Sequence, residues 1–554
     1  MNINKRLLKI YEDPAKVEAF ISLLDEKLKP YKGCTNGRVE FSEKDSILIT
    51  YGDSIVGEEG DNIQYLHKLL KKFIRNKLSA VHILPMFPYT SDDGFSVVDY
   101  KAINESVGTW SNIEALGKDY DLMFDAVINH ISASSEWFKK CLSGDEKYQG
   151  YFIENSTEFD ASKVVRPRTS NLFTPFDTSN GQKEYWTTFS ADQLDVNYES
   201  IDLATDIIEL LAFYASKGSK YIRLDAIGFL WKESGSTCIH HDKTHEMIKV
   251  MREVLDDLVP GTKLVTETNV PHKENISYFG NGHDEAQMVY QFPLPPLTLF
   301  SFLKEDATKL SEWANSLEPL TDETTYFNFL ASHDGVGLRP TEGILTDEER
   351  NFVAKRVLTS GGRINYRSHP DGSKSPYELN ISYQDALSTQ DETDETRMKK
   401  FVASQCILLS VVGIPGVYIH SLLGSRNDYY GVETSGINRR INREKLDYNT
   451  LVKALEEDSF RSKILGENLQ MLEQRKGCKA FHPNASQEVL FLDKRVFSIV
   501  REDKISGEKV TVLINVSSET VNLDLDVNGT DLISGACYIG TVELEPFARK
   551  WIKA

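Results

Sequence analysis

The run GSKYIRLDAIGF, residues 218–229, ends a short apolar stretch with an arginine and an aspartate two positions apart. In a strand, residues i and i+2 face the same side, so Arg223 and Asp225 share a face. An apolar run that finishes on paired charges reads as a buried strand with polar side chains at its C-terminal end. Three earlier stretches have the same form: SILITYGD (46–53), AVHILPMFP (80–88) and DLMFDAVINH (121–130). Four follow: KLVTETN (263–269), QMVYQF (287–292), YFNFLASHD (326–334) and GVYIHS (416–421). Helical spacing fills the gaps, as in the stripe Leu203, Ile207, Leu210, Leu211 and Tyr214. Eight strands alternating with helices over roughly 400 residues predict an α/β fold, a closed (β/α)8 TIM barrel.

Outward from the barrel, two gaps are too long for a single crossover helix. Residues 131–199, after the third strand, read as an inserted domain B, leaving the barrel at 45–130 and 200–478. Between the seventh and eighth strands, GGRINYRSHPDGSKSPYELN (361–380) is rich in turn formers and reads as an ordered loop plus helix over the barrel mouth. Residues 1–44 read as an N-terminal helical extension. From 479 to 554 the pattern turns to alternating strands (EVLFLDKRVFSIV, KVTVLINVS, TVNLDLDV), a C-terminal antiparallel β domain.

Composition narrows the function. The formal net charge of −20 excludes nucleic acid and an anionic membrane surface as partners, since both need a positive field. An anionic substrate would therefore have to be gathered by a local set of arginines. No apolar run approaches the roughly 18 residues of a membrane span. MNINKRLLKIYEDPAK at the start lacks the apolar core of a secretory signal and reads as a helix. The 6 cysteines are scattered, without CxxC, which suggests reduced thiols and a cytoplasmic location. A homodimer is compatible with the sequence, which specifies no oligomeric state.

The strand ends carry the chemistry. They supply Asp125, Asn129 and His130, then Arg223 and Asp225, then Glu267, then His333 and Asp334. Any one acid alone is as readily a helix cap or a surface charge. Carboxylates from several strands at one barrel mouth are another matter, because like charges must be desolvated together. Such a set points to acid–base and nucleophilic work.

In this order DAVINH (125–130), GSKYIRLDAIGF, TETNVPH (266–272) and FLASHD (329–334) resemble the four signature regions of the α-amylase superfamily, glycoside hydrolase family 13. The resemblance implies Asp225 as nucleophile, Glu267 as general acid/base and Asp334 as the acid that grips sugar hydroxyls. It implies Arg223 beside the nucleophile, and His130 and His333 on the glucosyl ring. A retaining mechanism needs two carboxyl groups about 5–5.5 Å apart, one ionised to attack and one protonated to assist the leaving oxygen. On this reading Arg223 keeps Asp225 ionised, while neighbouring acids keep Glu267 protonated.

Further stretches are similar to the sucrose phosphorylase group: RPR (166–168), FPLPPL (292–297), HDGVG (333–337), GSRND (424–428) and INR (441–443). In that group phosphate, not water, intercepts the glucosyl-enzyme. The resemblance places Asp92 and Phe95 in the glucose pocket, with Gln193 and Arg443 beside it, and Arg168 on the incoming phosphate. A planar guanidinium suits phosphate oxygens, with a surface-loop ion pair as the lesser alternative for Arg166 and Arg168. Phe229 stands where sucrose phosphorylases have Tyr, and Tyr100 where they have His. Those departures, with GVGLRPTEGIL and the 361–380 insert, look instead like the glucosylglycerate phosphorylases. An acidic acceptor would need one more cation, for which Arg339, Arg426, Arg439 and Arg440 are candidates.

Several features point elsewhere without force. His240, His241 and His245 lack the glutamate of an HExxH site, so no metal is expected there. Calcium, common near the counterpart of Asn129 in amylases, is not demanded by this chemistry. Gly280-Asn281-Gly282 is a turn too short to cradle a dinucleotide. Trp186, Trp231 and Trp313 read as core more readily than as sugar platforms. The expected ligands are thus a small sugar substrate and phosphate as co-substrate, with no cofactor. A hydrolase or transglucosidase would use the same three acids. A non-catalytic scaffold would have lost them.

Overall fold

The computed structural model describes residues 3–167, 170–368, 373–389 and 391–554. Eight strands form a closed barrel: β1 Ile47–Thr50, β2 Ala80–Ile83, β3 Asp121–Ala126, β4 Ser219–Leu224, β5 Lys263–Thr266, β6 Met288–Tyr290, β7 Thr325–Asn328 and β8 Ile414–Tyr418. Around the barrel the order is β1-β8-β7-β6-β5-β4-β3-β2, the succession of a (β/α)8 fold. Each strand falls on one of the eight apolar runs, with β7 starting one residue and β8 two residues before the run as read, because a strand covered on both faces must be apolar nearly throughout.

The chain divides into two compact units, residues 1–40, 82–268 and 274–289 in one and 41–81, 269–273 and 290–554 in the other. In the first unit, register fixes the polar strand ends. Asp125 of β3 pairs with Arg223 of β4, and Val265 of β5 pairs with Arg223 from the other side. The N-terminal segment forms helices Asn4–Tyr11 and Pro14–Leu28, which bury Leu7, Ile10, Phe20 and Leu24. Asp13 caps the second helix, with Pro14 at its first position. Asn36 then reaches under the barrel, its amide donating to Ser219 O at 2.9 Å and Thr262 Oγ1 at 2.8 Å. After β3 the chain runs through helix Glu136–Ser143, the hairpin Phe173–Thr178/Gly181–Trp186 and the short strand Gln193–Asp195 before helix Ile201–Ser216 leads into β4.

In the second unit, the segment 361–380 is not a loop plus helix. It is an antiparallel hairpin, Arg363–Ser368 against Lys374–Asn380, joined by the two-residue strand Val336–Gly337. Six antiparallel strands close the chain: β9 Ser486–Val489, β10 Val496–Glu502, β11 Lys509–Asn515, β12 Val521–Asp531, β13 Cys537–Leu544 and β14 Arg549–Lys553, in the order β9-β10-β11-β14-β12-β13. Val521, Leu523, Val542, Leu544 and Ile552 form its core. Two buried arginines tie these strands to the rest of the unit. Arg475 donates to the carbonyls of Leu409, Glu43, Asp45, Gly413 and Phe481, and Arg501 to those of Ser486, Ser410, His482 and Ala485.

All 6 cysteines are free. Among the described residues no helix is long and apolar enough to cross a membrane. Trp186, Trp231 and Trp313 are buried core residues.

Candidate active site

Arg223 organises the first unit's strand ends. Its Nη1 donates to Asp225 Oδ1 at 2.7 Å and to Asp125, while Nη2 lies 3.9 Å from Glu267 Oε2. Asp125 in turn accepts from His82 Nε2 at 2.7 Å, and both side chains are sealed from solvent. One guanidinium thus stands among three carboxylates. Buried like charges are tolerated only where such a cation offsets them. Burial pushes the Asp225 carboxyl above its ordinary range, against the pull of Arg223 and His130. Arg223, expected to favour the ionised form of Asp225, pulls in that direction against a larger desolvation.

Backbone geometry joins Asp225 to Glu267. The Asp225 N–H donates to Ala126 O and the Glu267 N–H to Leu224 O, so each acid sits one step past its strand. Ala226, next to Asp225, takes a left-handed conformation (φ 50°, ψ 31°) and donates its N–H to Glu267 Oε2 at 3.1 Å. A non-glycine residue held there stores strain of about 1–3 kcal/mol, the kind of outlier found where a site over-determines its backbone.

Phe95, His130 and Gln193 meet as one group. Phe95 O accepts from His130 Nε2 and from Gln193 Nε2, each at 3.0 Å. The Phe95 ring lies 5.5 Å from the Arg223 guanidinium. Its loop turns through Asp92 and Asp93 at positive φ, then Gly94 (φ 112°), where a Cβ would lie 2.8 Å from Pro85 Cβ. Asp92, expected in the glucose pocket, is exposed on this turn. Tyr100 donates to Val127 O at 2.8 Å and His130 O at 3.0 Å, bracing the loop that carries His130. Phe229 packs edge-on against Phe189, which packs on His130.

Lys232 fills the corner beneath His130. Its ammonium is 2.9 Å from Asn129 Oδ1 and 2.7 Å from Asp195 Oδ2. Asp195 also accepts from Thr188 N and Thr188 Oγ1, and Asn129 Nδ2 lies 3.2 Å from His130 Nδ1. Asn129 thus has an internal cation as neighbour. The other histidine cluster has separate duties: His241 caps helix Asp242–Leu258, His240 meets the Tyr278 hydroxyl, and His245 meets Glu285, whose carboxyl burial pushes up to about 7.

The second unit carries its own set. His333 and Asp334 follow β7, with the His333 ring edge-on to Tyr51 at 5.9 Å. Arg443 donates from Nε to His333 O at 2.7 Å and lies over Tyr51, and Asn442 holds Ser332 O at 2.8 Å. Arg439 bridges two carboxylates: Nη1 is 2.8 Å from Asp334 Oδ1 and Nη2 is 2.9 Å from Glu378 Oε1. Glu378, on the hairpin, also accepts from Gly335 N at 3.2 Å and Asn365 Nδ2 at 2.8 Å. Of the arginines considered for an acidic acceptor, Arg439 is thus engaged by two acids and Arg426 by Asp385, and Arg440 also has partners. Arg168, expected on phosphate, lies outside the described residues.

Reasoning from sequence missed His82, Tyr51, Lys232, Asp195 and Glu378. For His82 a signal existed, a lone polar residue inside an apolar run. For the others the partners are distant in sequence and nothing local marks them.

The geometry is that of a glycoside-processing barrel, and the comparisons agree. A family model for the α-amylase catalytic domain matches residues 60–343. A glucosylglycerate phosphorylase of Spirochaeta thermophila is 46% identical over 506 residues, 90% of this chain and 86% of that protein. One from Allomeiothermus silvanus is 47% identical over 515 residues, 92% of this chain and 91% of that protein. The crystal structure of a sucrose 6F-phosphate phosphorylase from Thermoanaerobacter thermosaccharolyticum superposes with TM-score 0.76 at 21% identity, covering 92% of this chain and all of that one. The chain belongs to the α-amylase family and, within it, to the group that holds these glycoside phosphorylases.

Proposed function

We propose that the protein is a retaining glycoside phosphorylase that uses phosphate to cleave 2-O-α-D-glucosylglycerate into α-D-glucose 1-phosphate and D-glycerate. The observation that carries the chemistry is the single guanidinium of Arg223, 2.7 Å from Asp225 and 3.9 Å from Glu267. The substrate is supported by the relatives' shared name over most of the chain.

Asp225 attacks the anomeric carbon as the bond to the glyceryl oxygen breaks, and Glu267 delivers its proton to that oxygen. The departing group is glycerate, and the glucosyl unit rests as an ester on Asp225. A phosphate oxygen then attacks the same carbon from the face that glycerate left, releasing Asp225 while Glu267 takes back a proton. Two inversions give net retention. Asp334 and His333 steady the sugar hydroxyls with His130, Gln193, Phe95 and Asp92, and Arg443 backs His333 through its carbonyl. The resemblance of RPR (166–168) to the sucrose phosphorylase group supports Arg168 as the phosphate ligand.

Incubating the enzyme with the glucoside, with and without phosphate, tests the reaction. Consumption should require phosphate and yield α-glucose 1-phosphate. Equal consumption with free glucose would make it a hydrolase. Sucrose, glucosylglycerol and glucosylglycerate offered side by side test the substrate, and clear preference for sucrose overturns the acceptor.

A further inference from the structure

Beyond Asp334 the chain forms the strand Val336–Gly337 and then the 3-10 turn Arg339–Thr341. Gly337 sits against Asn269: a Cβ there would lie 2.9 Å from Asn269 Nδ2 and 3.2 Å from Oδ1. Asn269 is two residues past Glu267 in the chain. The Asn269 amide rests on this backbone because position 337 has no side chain.

Both residues carry polar atoms that no described residue satisfies. Asn269 Oδ1 and Arg339 Nε are each sealed from solvent with no hydrogen-bond partner among the described residues. Among the described residues Arg339 makes no side-chain hydrogen bond and no ion pair, in a chain with 83 acidic residues. Arg439, by contrast, spans Asp334 and Glu378, and the buried Arg475 and Arg501 are saturated with carbonyls. A buried donor without a partner is disfavoured unless a ligand completes it.

We infer that Arg339 is the acceptor-binding residue, its guanidinium holding the carboxylate of the acid that leaves, with Asn269 Oδ1 accepting from one of that acid's hydroxyls. The inference rests on the proposed acidic acceptor and names the residues that read it. A fork of N–H donors matches a carboxylate, and an amide oxygen matches a hydroxyl. Together they discriminate glycerate from a neutral polyol or ketose.

The test separates the two half-reactions. Exchange of labelled phosphate into α-glucose 1-phosphate needs only the glucosyl-enzyme, whereas synthesis of glucoside from α-glucose 1-phosphate and glycerate needs the acceptor. Arg339→Gln should lower kcat/KM for glycerate by about 10- to 100-fold and leave exchange within about threefold. Arg339→Lys, which keeps the charge without the fork, should fall between. Asn269→Asp, which sets an anion beside the carboxylate, should also depress glycerate use while sparing exchange. Equal loss of both half-reactions in folded variants overturns the inference, as does a raised KM for phosphate with glycerate use intact. A wild-type enzyme that exchanges phosphate but never uses glycerate would instead overturn the functional reading.

Discussion

The cluster around Arg223 and the turn at Arg339 treat an arginine in opposite ways. Arg223 is closed in by Asp125, Asp225 and the Phe95 ring, and Asp125 is fixed again by His82. Arg339 is left with no partner among the described residues. A side chain held from every direction is pre-organised and has little left to choose. One whose donors are unspent waits for whichever ligand satisfies them. Bond type and specificity are thereby written in different places, the first in a saturated network and the second in an unsaturated one.

The comparison breaks most easily at the saturated end. Asp225→Asn should reduce phosphorolysis by about 10⁴-fold or more, with the fold retained by circular dichroism, as expected for losing a nucleophile. Retained turnover would mean that another group attacks. Next in size, Glu267→Gln should cost about 10²- to 10⁴-fold, and least for substrates whose leaving group needs no proton. A uniform loss across leaving groups would remove Glu267 from that role.

A smaller effect tests the hairpin. Glu378→Gln removes one of the two carboxylates that Arg439 bridges, and a modest shift of Asp334 should lower kcat about tenfold with KM for glucosylglycerate little changed. Glu378→Asp should restore part of it. A change in melting temperature without any change in kcat would make the link purely structural.

The smallest effect is one of stability and pH. The folded-state value of Asp225 lies above its unfolded value, so the folded chain holds that proton more tightly. Its contribution to stability is therefore lost as pH rises from the ordinary aspartate range through the folded value, and at neutral pH the ionised group is a burden. Asp225→Asn should raise unfolding stability at neutral pH by about 1 kcal/mol, and this gain should shrink on acidification. The acid limb of kcat/KM should likewise sit above the usual aspartate range. A limb at the ordinary value, or no gain in stability, would show that Arg223 outweighs burial after all.

Much of this was legible in the amino-acid order. Each barrel strand is an apolar run ended by polar residues, and the two-residue spacing of Arg223 and Asp225 announces a shared face. The hairpin was misread because its turn formers at 369–372 dominate the stretch, while Ile364 and Tyr366 give only a brief alternation before them. The rise at Asp225 was hidden for a different reason: a sequence shows neighbouring charge but not how much water burial removes. Glu378 and Lys232 meet partners far away in the chain, where no local pattern can point.

Lys232 has a further consequence. Between Asn129 and Asp195 it acts as a counter-ion fastened to the polypeptide, so its local concentration is set by a tether and not by the medium. Such a cation cannot be diluted, sequestered or exchanged. The loop beneath His130 should keep its shape, and the enzyme its unfolding midpoint, whether the surrounding fluid is rich in divalent ions or stripped of them.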